Sequence, residues 1–197
     1  MTNIKIITGS TRPGRFNLQP ATWIADIAKT MKDTKSELVD LADLNLPMLD
    51  EAIPASQNNY QNEHTKNWSK IVADADGFVF VTPEYNHSYS AVLKNALDYL
   101  FVEWHYKPVV FLSYGSLAGG TRAVEHLRGV VAELKMYDLR ESILLSNYWN
   151  DLNDKGEYEF TEILNLRAKE VLSELLFWSK SMKEARGKIV DQSSDFD

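Results

Sequence analysis

Short β-prone runs alternate with helical patterns along the whole chain, and this alternation constrains the fold more than any other feature. The runs cover residues 1–8, 37–41, 77–82, 109–113 and 142–146. Those at 77–82 and 109–113 are apolar almost without alternation, as strands covered on both faces should be. Residues 21–31 place Trp23, Ile24, Ile27 and Ala28 on one helical stripe, and residues 91–101 do the same with Val92, Ala96, Tyr99 and Leu100. Residues 121–136 repeat Val124, Leu127, Val131 and Leu134, and a final helix is predicted over 161–184. Strand and helix in strict succession predict right-handed crossovers and an α/β fold, a doubly wound parallel sheet with helices on both faces.

Composition narrows the function classes. The chain has 197 residues, 44% hydrophobic, with a formal net charge of −7 and no cysteine. That length is one domain's worth, read as residues 1–186 followed by a polar acidic tail over 187–197. A helix is expected near 65–74, and the polar stretch 45–62 is an excursion before it. Without cysteine there is no disulfide, thiolate metal site or redox thiol, so any electron transfer needs a bound carrier. The negative charge and the lack of a basic run argue against a nucleic-acid partner. A mean hydropathy of −0.32 leaves no room for membrane spans, and the first residues lack a signal-peptide pattern, so the cytoplasm is the expected compartment.

In a five-stranded sheet of flavodoxin-like order, 2-1-3-4-5, ligands bind outside the carboxyl ends of the strands, where the winding reverses. Each strand that ends there is followed by a marked loop. After the first comes Gly9-Ser10-Thr11-Arg12-Pro13-Gly14-Arg15-Phe16-Asn17, with hydroxyls, two guanidiniums and the free amides of a helix start. That donor set suits a phosphate monoester. It is no Walker loop, because Arg15-Phe16 stand where Lys and Ser/Thr are needed, and no Gly-x-Gly-x-x-Gly is present. After the third strand, Pro83-Glu84-Tyr85-Asn86-His87-Ser88-Tyr89 leads to Ser90, a plausible N-cap for the next helix. Such a loop can edge a flat heteroaromatic ligand with hydrogen bonds. After the fourth, Ser113-Tyr114-Gly115 and Gly119-Gly120 permit close backbone approach. Tyr114 excludes a nucleophile elbow centred on Ser116.

These stretches, with Leu-Lys-Asn-Ala-Leu-Asp at 93–98, Leu-Pro-Met-Leu-Asp-Glu at 46–51 and Arg-Ala-Val-Glu-His-Leu-Arg at 122–128, resemble the NAD(P)H-dependent FMN reductases of flavodoxin-like fold, over residues 3–136. That family includes quinone, azo-dye and chromate reductases. The resemblance implies FMN as a non-covalent cofactor and NADPH or NADH as co-substrate. Its phosphate would sit on Ser10, Thr11, Arg12, Arg15 and the amides around Phe16 and Asn17. Its ring would lie along Pro83, Glu84, Tyr85 and Asn86, with Ser113, Tyr114 and Gly115 closing the pyrimidine side. It also implies a homodimer or tetramer, with the aromatic segment 101–106 as a candidate contact. Ser90 departs from the proline common in the family.

The reaction so implied is a ping-pong hydride transfer to a small acceptor: a quinone, an azo compound, free flavin or a metal oxyanion. The cofactor carries the chemistry, so no catalytic side chain is assigned. The four histidines show no metal-ligand spacing, and no metal is expected. The alternative from another class is a non-enzymatic FMN-binding electron carrier or flavin-linked interaction protein.

Overall fold

In chain order the elements are β1 (Thr2–Thr8), α1 (Leu18–Lys29), β2 (Thr34–Asp40), α2 (Leu41–Leu44), α3 (Glu63–Ala73), β3 (Gly77–Pro83), α4 (Ala91–Asp98), β4 (Pro108–Gly115), α5 (Thr121–Glu133), β5 (Tyr137–Ser146) and α6 (Glu162–Ser193). They come from a computed structural model that describes residues 1–193, with side chains through residue 188. All five strands are parallel, in the order β2-β1-β3-β4-β5. The alternation predicts the doubly wound parallel sheet, and its strand order is the flavodoxin-like one that the resemblance implies.

The apolar runs form the two central strands because side chains on both faces need cover. Phe78, Phe80, Val109 and Phe111 pack with Trp68, Leu97, Trp104 and Leu127 on the side of α3, α4 and α5. Val79, Val81, Val110 and Leu112 pack with Ile24, Ala28, Leu172 and Leu175 on the side of α1 and α6. At Gly77 a β-carbon would come 2.3 Å from Ser179 Oγ, so α6 lies directly on β3 there. All the carboxyl ends of the strands therefore open on one pole, and the loops after β1, β3 and β4 share it.

Some element bounds differ from expectation. The edge strands β2 and β5 begin at Thr34 and Tyr137, earlier than residues 37 and 142, because their half-exposed polar residues dilute the apolar signal. Leu41 opens α2 instead of closing the strand, since the Asp40 carboxylate accepts from the Ala42 amide at 3.0 Å and caps a helix there. The last helix continues to Ser193, so the tail expected from residue 187 is helical as far as 193. No proline interrupts 185–193, and residues 194–197 lie outside the described ones.

The 45–62 excursion is fastened at several points. Asn95 donates to Pro47 O at 2.7 Å and accepts from Leu49 N at 2.9 Å. Glu51 accepts from the amides of Gln61 and Asn62, and Tyr60 OH donates to Glu103 at 2.9 Å. Among the described residues no helix is long and apolar enough to cross a membrane.

Candidate active site

The loop after β1 is shaped by a turn and then by three side chains directed into the protein. Arg15 N donates to Arg12 O at 3.1 Å, closing a turn with Pro13 and Gly14 at its centre. Gly14 has φ +68°, the value a type II turn needs at that position. Arg15 then pairs with Asp40 at 2.5 Å. Phe16 is buried and stacks on Tyr148, with centroids 4.1 Å apart, and Asn17 Nδ2 donates to Val81 O at 2.9 Å. Among the described residues the amides of Thr11, Phe16 and Asn17 have no protein acceptor, and Asn17 Oδ1 is buried without a partner. Arg12 is exposed and, among the described residues, has no carboxylate partner.

The loop after β3 turns sharply. Tyr85 and Ser88 exchange backbone hydrogen bonds of 2.8 and 3.0 Å, and Asn86 and His87 between them have φ of 50° and 68°. Two successive positive φ values make a type I′ turn, which holds both residues exposed at its tip. His126 Nδ1 lies 3.0 Å from Ser88 Oγ and steadies this tip from α5.

The loops are joined to one another. Ser10 Oγ and Tyr85 OH are 3.0 Å apart, and Ser90 Oγ donates to Gly9 O. Glu84 reaches across to the start of α5, pairing with Arg122 Nη1 at 2.5 Å and accepting from its amide at 3.3 Å. Ser113 Oγ donates to Gly119 O at 2.8 Å. Tyr114 is buried edge-on to Phe16, and burial raises its phenol above the ordinary range.

The side chains of the three loops thus fall into two groups. Ser10, Thr11, Arg12 and Tyr85 line one pocket of about 260 Å³, together with Ser90, Ala91 and Val92. Thr11 and Val92 also line its neighbour of about 320 Å³, bounded by Leu41, Asn45, Leu46 and Asn95. Arg15, Glu84, Ser113 and Tyr114 have their side chains engaged by other residues of the protein. The guanidinium of Arg15 has a carboxylate at hand because Thr8 and Asp40 end neighbouring strands in register. Asn86 stands at the turn tip, and Pro83 and Gly115 form the strand ends beneath. Segment 101–106 follows α4 to the amino end of β4, the pole opposite these loops, and Trp104 within it is fully buried. Asp40 and Ser90 are the participants that local patterning did not reveal in these roles.

This donor set fits FMN. Free amides, the Ser10 hydroxyl and Arg12 suit a phosphate. At Gly9 a β-carbon would come 2.9 Å from Val81 O, so the backbone packs as closely there as glycine permits.

A 2-1-3-4-5 parallel sheet whose loops after β1, β3 and β4 share one pole defines a flavodoxin-like fold. The profile of the NADPH-dependent FMN reductases matches residues 2–151, and the chain belongs to that family. It is 46% identical over 135 residues to an NAD(P)H-dependent FMN reductase of Schizosaccharomyces pombe, covering 68% of this chain and 67% of that one. A 2-hydroxy-1,4-benzoquinone reductase of Burkholderia sp is 36% identical over 141 residues, 66% of this chain and 70% of that one. Among solved structures, the flavoenzyme NAD(P)H:acceptor oxidoreductase of Paracoccus denitrificans superposes with a TM-score of 0.71 at 17% identity. That match covers 92% of this chain and 99% of the other, and bears on the fold.

Proposed function

We propose that this chain holds FMN across the three joined loops and passes a hydride from NAD(P)H to a small acceptor of the quinone class, the two substrates using the site in turn. The observation that carries this reading is the meeting of exposed Thr11 and Arg12 with Tyr85 in one pocket, beside loops fastened by Ser10, Glu84 and Ser90. The quinone class is favoured by the Burkholderia relative's named activity.

Bound FMN supplies the two-electron chemistry, accepting and donating a hydride at its ring. The protein's part is to bind and orient. Ser10, Thr11, Arg12 and the amides of Phe16 and Asn17 would hold the phosphate, charge-assisted at Arg12. The backbone from Pro83 to Asn86 and at Gly115 would line the ring. Arg15, Glu84, Ser113 and Tyr114 support those segments from behind. The fastened loops fix the geometry before either substrate arrives, which lowers the entropy lost on binding. A homodimer is part of this reading, and light scattering on the purified chain tests it.

The test is direct. The purified protein, incubated with FMN and desalted, should show flavin absorbance, lose it on anaerobic addition of NADPH, and regain it on addition of a benzoquinone. Absence of flavin bands overturns the reading. Retained flavin that NADPH fails to bleach points instead to an electron carrier.

A further inference from the structure

Resting on the reading that the FMN phosphate takes the loop after β1, we infer that Asp40 is a positioning residue for that phosphate and acts through Arg15. Asp40 closes β2 beside Thr8, which closes β1. Its carboxylate accepts from Thr8 Oγ1 at 2.8 Å, from the Ala42 amide at 3.0 Å and from Arg15 Nη2 at 2.5 Å. Thr8 Oγ1 in turn accepts from the Leu41 amide at 3.1 Å. Side-chain exposure is 15% at Arg15 and 11% at Asp40, so the pair is shielded and holds its geometry better than a surface pair would.

The consequence lies in the backbone. Arg15 follows directly on the Pro13-Gly14 turn, and Phe16 and Asn17 are anchored behind it by Tyr148 and Val81 O. With Arg15 drawn to Asp40, three successive side chains are directed inward, while the Phe16 and Asn17 amides keep no acceptor among the described residues. Asp40 therefore sets the path of the backbone whose amides meet the phosphate. It also neutralises Arg15, leaving Arg12 as the cation this loop offers to a ligand.

Electrostatics alone gives the opposite sign for loss of this carboxylate. Removing a negative charge close to a bound phosphate should tighten binding. Positioning requires that the same change weaken it, which makes Asp40→Asn decisive.

The experiment titrates flavin-free wild type, Asp40→Asn, Arg15→Met and the double variant with FMN and, separately, with riboflavin, which lacks the phosphate. Flavin fluorescence reports affinity and circular dichroism reports folding. The expected result is a roughly tenfold weaker FMN affinity in each single variant, no further loss in the double variant and unchanged riboflavin affinity. Tighter or unchanged FMN binding by Asp40→Asn overturns the inference, as does parallel loss of both flavins. Should Asp40→Asn not fold, Arg15→Met decides, since it removes the single Nη2 contact to Asp40: a tenfold loss for FMN with riboflavin affinity kept supports the role, and wild-type FMN affinity overturns it. Wild type that binds neither flavin brings down the FMN reading, and this inference with it.

Discussion

Ser90 Oγ donates to the carbonyl oxygen of Gly9 and accepts from the Leu93 amide at 3.1 Å, so one buried hydroxyl both caps α4 and ties it to the loop after β1. A proline at this position would lack that hydroxyl. Ser90→Ala should lower stability by about 1–2 kcal/mol, because a cap is lost and a buried carbonyl is left unpaired. Ser90→Thr, which keeps the oxygen, should recover most of it. Urea denaturation checks both, and an unmoved midpoint for the alanine variant would show that the hydroxyl is dispensable.

Gly120 stands at the N-cap of α5 with φ +89°, and a β-carbon there would meet Ser113 Cβ at 2.6 Å and Oγ at 2.7 Å. Gly156 has φ +76° but nothing within 4 Å of the same position. Both Gly→Ala variants face the left-handed backbone penalty of roughly 1–2 kcal/mol. Gly120→Ala must also displace Ser113, so it should cost about 1–3 kcal/mol more than Gly156→Ala. Equal midpoints in parallel denaturant titrations would show that β4 yields there without cost.

The fold was legible because its signals are local. Residues 77–82 and 109–113 carry the apolar runs of doubly covered strands, and Ser90 precedes an apolar helical stripe as a cap does. The edge strands were legible only in part, since Thr34 and Tyr137 begin half-exposed segments whose polar residues hide the pattern. The loops were recognisable by glycines, hydroxyls and arginines, but not the assignment of each side chain. Arg12 and Arg15 look equivalent in sequence, and only the register that sets Thr8 beside Asp40 distinguishes them. Glu84 likewise reads as a loop carboxylate until α5 brings Arg122 against it. Long-range pairing through parallel crossovers leaves no trace in residue spacing.

Lys107 is buried, donates to the carbonyls of Val72 and Ala73 at 2.8 and 3.0 Å, and has its pKa lowered to about 8, chiefly by desolvation and then by Arg186. The unfolded chain keeps this proton up to about 10.5, while the folded chain releases it from about 8. Between those values the unfolded state binds more protons, so this group's contribution to stability rises with pH and its cost is fully present below 8. Lys107→Met should remove that rise, an effect of roughly 1–3 kcal/mol across the window. Denaturation midpoints at pH 7.0, 8.0 and 9.5 for both proteins test this. A variant whose midpoint moves with pH in parallel with wild type would place the titration elsewhere.

Arg12 differs from Arg15 in having no carboxylate partner among the described residues, and it lines the pocket with Ser10, Thr11 and Tyr85. A guanidinium free of internal pairing gives its hydrogen bonds to whatever anion enters. Arg12→Ala should therefore weaken FMN binding by about 1.5–3 kcal/mol, the scale of a charged hydrogen bond, and leave riboflavin binding unchanged. Because Arg12 is exposed, its loss should leave the denaturation midpoint of the flavin-free protein within about 0.5 kcal/mol of wild type. Raising salt should erode the wild-type advantage for FMN over riboflavin and have little effect in the variant, since screening acts on the exposed charge. Titration of both flavins at low and high ionic strength separates the outcomes. FMN affinity that survives Arg12→Ala at low salt would move the phosphate contact from this guanidinium to the amides of the loop.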